Sequence, residues 1–161
     1  MDENSSHTDA LHLLDLAEEM CEDETSRIYS FLLNTRVCIY LDRNDLASCQ
    51  NVQDKVMQLQ KVAFNAADTK DRELRANQLH NSGNFACAMG SWDTAIKNYT
   101  ASNAMKATIP QFSIQKYGRT HLCLGRAYYF KGDWNSAREH YRQAEQFFNQ
   151  ELRHSSTWIA Q

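Results

Sequence analysis

An all-α fold of about seven helices, arranged as antiparallel hairpins, is what this sequence predicts, and three observations carry the prediction. One proline, Pro110, and five glycines in 161 residues leave long stretches free of helix breakers. A pattern centred on a glycine occurs twice, around Gly83 and around Gly125. Each copy holds a second glycine seven residues on, Gly90 and Gly132. Glycine adopts a left-handed backbone cheaply, so a helix can end there and the chain turn back.

The elements follow in order. Ala10, Leu14 and Ala17 have the spacing of a second helix that lacks its first, so a helix over about 8–21 is expected to open the chain mid-repeat. The next covers about 26–43 and stops at Asn44, asparagine being the usual substitute for glycine in a left-handed cap. A long helix over about 46–66 follows, then a connector over 65–70. The helix over about 70–89 ends at Gly90, and Ser91 caps one over 92–106. After a connector at 107–111, the helix over 111–131 ends at Gly132, and Asp133 caps the last over 134–153. The tail, 154–161, contains Trp158 and Ile159 and is expected either to begin a capping element or to dangle.

Gly83 and Gly125 fall in mid-helix, where glycine costs about 1 kcal/mol against alanine. Something must need the missing side chain. Counting from each, the copies share Ala86 or Tyr128 at three on, Ala95 or Ala137 at twelve, Tyr99 or Tyr141 at sixteen, and Ser102 or Ala144 at nineteen. The expectation is that Gly83 and Gly125 face Ala95 and Ala137 across a close hairpin, while Tyr99 and Tyr141 fill the gap to the next unit. Trp92 and Trp134 open the second helices and cover the corners. A degenerate copy lies upstream, with Val37 in place of the glycine, Tyr40 three on, Asn44 seven on and Cys49 twelve on; Gln53 and Val56 take the aromatic and small positions.

Leu124-Gly125-Arg-Ala-Tyr128, with Ala137, Tyr141 and Ala144, resembles the tetratricopeptide repeat, and the copy at Gly83 is a weaker match with Ser82 and Ala86. The resemblance covers nearly the whole chain and implies an α-solenoid, a tetratricopeptide superhelix over 1–161: a partial repeat at 8–21, a degenerate repeat at 26–66, a repeat at 70–106 and the best match at 111–153. The separations, 46 residues from Val37 to Gly83 and 42 from Gly83 to Gly125, exceed the usual repeat of about 34. That length is similar to kinesin light chain-like repeats and to arrays in signalling ATPases.

Composition bounds the function. The five cysteines form no CxxC pair and no zinc-ligand spacing with a histidine, and read as buried thiols of a reducing compartment. The acidic, polar start has neither the charge nor the apolar run of a signal peptide, so a cytoplasmic or nuclear chain with no membrane association is expected. Residues 1–24 hold nine acidic residues and no lysine or arginine, hence −9; the remainder holds 17 basic against 11 acidic, hence +6. The basic residues are dispersed among acids and amides, which argues against nucleic acid as a partner.

No catalytic constellation emerges. The six histidines offer no pair at i and i+4 with a third ligand, and His121 is expected to pack at a helix crossing. Cys87 or Cys123 with His80 or His121 would lack an oxyanion hole and an orienting acid. The glycines lack phosphate-loop framing, and Tyr128, Tyr129, Phe130, Phe147 and Phe148 follow packing spacing. The chain is therefore read as a non-enzyme without cofactor or metal. The resemblance implies a concave face lined by the first helix of each hairpin, and helical phase places Asn34, Asn77, His80, Asn81, Asn84, Arg119, Arg126 and Tyr129 there. The expected function is a protein-interaction scaffold, its asparagines holding a peptide backbone and its arginines an acidic group or free carboxylate. The plainer reading of the same stripe is a solvated helix face. His80 stands where chaperone-tail adaptors have a lysine four before Asn84, so that specialisation is not implied. The alternatives are a regulatory segment of a larger signalling ATPase or transcriptional activator, and a small helical hydrolase or transferase. Self-association through open repeat ends is a further expectation.

Overall fold

A computed structural model describes residues 3–24 and 26–159, with side chains over 6–24, 26–59 and 64–150. Among the described residues the chain forms seven helices and no strand: α1 Glu3–Glu19, α2 Arg27–Asp42, α3 Leu46–Ala63, α4 Thr69–Ala88, α5 Trp92–Ala107, α6 Ile114–Lys131 and α7 Trp134–Ile159. Helix number and order agree with the sequence prediction. The bounds differ where local chemistry decides them. α7 runs on through most of the expected tail, because no glycine or proline interrupts 134–159. α6 starts later than expected because Gln111, just after Pro110, takes a left-handed φ of 54°. α1 begins earlier, at Glu3, whose type suits the positive end of the helix dipole.

The reversals occur where the sequence put them. Gly90 and Gly132 have φ of 69° and 89°, and Asn44 has 55°. Asp133 caps its helix by accepting from the Ser136 N–H at 3.1 Å, and Asp45 does the same for Ser48 at 3.1 Å. Ser91 makes no such side-chain bond. Ser26 and Asp68 are caps the sequence reading passed over, accepting from the N–H groups of Tyr29 and of Lys70 and Asp71.

Each helix packs on the next, and α2 also meets α4, and α4 meets α6. Packing is densest within the pairs α4–α5 and α6–α7 and sparse between α3 and α4. The main core joins Ala86 and Cys87 of α4, Ala95 and Tyr99 of α5, and Leu124 and Ala127 of α6. A second cluster holds Tyr29, Leu33 and Val56 of α2 and α3.

The mid-helix glycines have a cause different from the expected one. A Cβ on Gly83 would lie 2.5 Å from Cε1 of Tyr99, and one on Gly125 would lie 2.7 Å from Cδ1 of Tyr141. The nearest atoms thus belong to the recurring tyrosine of the same hairpin rather than to Ala95 or Ala137. Tyr99 also reaches α6 through the core it shares with Leu124. α6 carries a third such contact, Gly118 against Phe148, where a Cβ would come within 2.9 Å of the ring. Gly118–Phe148 and Gly125–Tyr141 step in opposite directions along α6 and α7, as antiparallel packing requires.

Cys49 and Cys87 are buried as expected and Cys21 and Cys123 are half-buried, but Cys38 is exposed. No helix among the described residues is long and apolar enough to cross a membrane.

Candidate functional site

The first helices of the hairpins, α2, α4 and α6, are joined by polar rungs. Asn81 Nδ2 donates to Asn34 Oδ1 at 2.9 Å, Thr120 Oγ1 lies 3.2 Å from His80 Nδ1, and Lys116 Nζ pairs with Glu73 at 2.8 Å. Asn34 is buried, and with Asn81 it is committed to this bridge. Asn84 accepts from the Tyr99 hydroxyl at 2.8 Å. His80 tilts against the Tyr99 ring at 5.3 Å, and its imidazole is pushed down to about 4 by burial and then by the charges of Lys106 and Arg119. Asn34, His80, Asn81 and Asn84 therefore spend polar atoms inside the helix layer, and Asn77 is half-buried beside them.

Beneath His80 lies a cluster that sequence reasoning missed. Lys106 is 2% exposed and donates to the Lys116 carbonyl at 3.2 Å and to Thr120 Oγ1, with the Phe112 ring 5.9 Å away. Burial above all pushes its ammonium down to about 8. Thr120 is wholly buried too, and the cluster fastens α4, α5 and α6. His121, expected at a helix crossing, sits at one: Nδ1 lies 3.0 Å from His140 Nδ1, Nε2 lies 3.2 Å from Asn103 Nδ2, and the ring stacks on Phe147 at 5.4 Å. Among the described residues no three His, Cys, Asp or Glu side chains gather as a metal site.

α6 presents a different surface. Arg119, Leu122, Arg126 and Tyr129 follow one another at three- and four-residue steps and are all exposed, Leu122 and Tyr129 each to 48%. Neither arginine has an ion pair among the described residues. Cys38 of α2 shares this face: burial raises its thiol pKa, while a bond from Asn81 and the charge of Arg119 work the other way. The stripe ends in an aromatic corner, with Tyr129 edge-on to Trp134 at 4.9 Å and Phe130 stacked on Trp92 at 5.0 Å. Phe130 and Trp134 are 56% and 61% exposed. Trp92 is half-buried against the main core, while Trp134 faces solvent.

The acidic start is partly neutralised within the chain. Arg36, on α2, bonds Asp15 at 2.7 Å and Glu18 at 2.9 Å, and Lys55 lies 3.9 Å from Glu24. Neither the protein-family models nor the curated proteins compared with the chain give a match.

Proposed function

We propose that the chain is a non-catalytic protein-interaction scaffold, a solenoid of tetratricopeptide type that holds a peptide or helix of an acidic partner on the face formed by α2, α4 and α6. The observation that carries this reading is the exposed α6 stripe of Arg119, Leu122, Arg126 and Tyr129, running into the Phe130–Trp134 corner. Arginine, tyrosine and tryptophan are the side chains that most often anchor interfaces, because they bury large areas at low entropic cost or make forked charged bonds. Two guanidinium groups two turns apart, without an ion pair among the described residues, give the face a positive potential, and residues 106–161 hold eight basic against four acidic residues. Asn77 and Cys38 extend the surface across the layer, while Asn34, His80, Asn81 and Asn84 keep its helices in register. The glycine–tyrosine contacts and left-handed turns support the repeat reading of the architecture.

Capture of a partner from the native source by the wild-type chain and by an Arg119→Glu, Arg126→Glu variant tests the proposal. Both residues are exposed, so the variant should melt with the wild type and lose the partner, and capture by the wild type should weaken as salt rises. Equal capture by both chains would overturn it.

A further inference from the structure

Where α5 packs extensively on α6, α3 meets α4 only sparsely, and among the described residues α3 does not touch α5. The first hairpin has Val37 and Gln53 where the others have a glycine and a tyrosine, so the close ring contact that draws α4 to α5 is missing here. The space left over α4 is a cavity of about 530 Å³ bounded by α2, through Asn34 and Val37, and by α3, α4 and α5, within the range of small-ligand sites. We propose that this cavity binds an apolar N-acylated amino acid, free or as the carboxyl-terminal end of a peptide, with the carboxylate on Arg75 and Gln78 Nε2 and the amide N–H on Gln78 Oε1.

Gln78 is the first support. It is 4% exposed and lines the cavity, yet neither Nε2 nor Oε1 has a hydrogen-bond partner among the described residues. A buried amide left unpaired is costly, and native proteins seldom keep one without a use. The N–H and C=O of one trans amide point apart, but the N–H and the carboxylate oxygen of the same extended residue lie on one side, so Gln78 Oε1 can accept from the ligand's amide N–H while Nε2 donates to its carboxylate. Arg75 is the second support. It is one turn away on the same face of α4, lines the same cavity, and has no carboxylate partner among the described residues. Burial alone lowers its pKa, so its charge sits partly desolvated with nothing to offset it. An arginine in that state favours a carboxylate, which its fork can take bidentately. Apolar surface comes from Val56, Met57, Phe85 and Met89, and the methionines at the rim adapt to more than one side chain. Gln53 has its Nε2 turned to the Asn81 carbonyl at 3.4 Å, whereas both ends of the Gln78 amide are unpaired among the described residues.

Side-chain NMR on the full chain tests this. The Gln78 NH2 and Arg75 Nε–H signals would be followed during titration with N-acetyl-leucine, with N-acetyl-alanyl-alanyl-leucine, and with the carboxamide of each. Saturable shifts at both side chains with the acids are expected, with about tenfold weaker binding of the carboxamides. That preference should vanish in Arg75→Gln, and binding of both acids should be lost in Gln78→Leu. Tighter binding of the longer acid assigns a peptide end, and equal binding a free acyl amino acid; both support the site. The absence of saturable shifts, equal affinity for acids and carboxamides, or binding that survives Gln78→Leu would overturn it. Gln78→Leu should also melt at or above the wild-type temperature, since it removes an unpaired buried amide. A lower melting temperature would mean the amide is bonded within the chain, and the proposal would fail. The Arg119→Glu, Arg126→Glu variant should bind both acids as the wild type does, which separates this site from the α6 face.

Discussion

Replacing Gly83 by alanine sets two effects of known size against each other. Alanine in mid-helix is worth about 1 kcal/mol over glycine. Here its Cβ would lie 2.5, 2.6 and 2.9 Å from Cε1, Cδ1 and Cζ of Tyr99. The ring has little room to yield, because Tyr99 is 0% exposed and its hydroxyl is held by Asn84 at 2.8 Å and Cys87 at 3.6 Å. Overpacking of that kind costs about 1–3 kcal/mol, and a strained hydroxyl bond adds about 1 kcal/mol. Gly83→Ala should therefore destabilise by about 1–3 kcal/mol net of the propensity gain. In a Tyr99→Leu background the obstruction is gone, and the same substitution should become neutral or stabilising by up to about 1 kcal/mol. Urea unfolding of the four chains of this cycle measures a coupling expected at about 1–4 kcal/mol. A coupling near zero, or a Gly83→Ala chain more stable than wild type, would refute the close-contact account of the mid-helix glycines.

The other expectations are simpler. Gly118→Ala should cost less than Gly83→Ala, because Phe148 is half-buried and carries no hydroxyl to pin it; the same unfolding series ranks them. Gly132→Ala meets no atom within 4 Å but must hold a φ of 89°, so it should lower stability by about 1–2 kcal/mol, and Gly132→Asn by less. His80 and His121 are both pushed down to about 4 from 6.5, first by burial. The unfolded chain then binds more protons between those values, so stability is full above about pH 6.5 and lost as pH falls towards 4. Solvent screening of half-open rings holds the loss to about 1–2 kcal/mol for each, and His80→Gln with His121→Gln should flatten the melting profile across that window. Arg36→Ala removes the bonds to Asp15 and Glu18, so amide exchange in α1 should quicken by more than in α6.

What the sequence disclosed and what it hid divide along a physical line. Gly90, Gly132 and Asn44 were legible because left-handed backbone is a property of single residues, and the Asp133 cap because its reach is three residues. The repeated glycine and tyrosine positions were legible as a pattern, but their mutual contact was assigned to the alanines, since which side chain covers a glycine depends on the helix crossing. The stripe on α6 followed from helical phase. The same phase could not show that Asn34 and Asn81 bond each other or that Asn84 serves Tyr99, because those partners lie on other helices. Lys106 under Thr120, the unpaired Gln78 amide and the gap beside α3 were hidden for the same reason: each is a consequence of how far apart two helices settle.

The central claim is that a partner docks on the α6 stripe, and site-specific photocrosslinking tests it most directly. A benzophenone side chain in place of Leu122, in the middle of the stripe, and another in place of Gln146, exposed on α7, would be irradiated in extract of the native source. One discrete protein adduct should form at 122, should vanish when Arg119 and Arg126 are changed to glutamate, and should be missing at 146. Adducts at 146 with none at 122 would contradict the account.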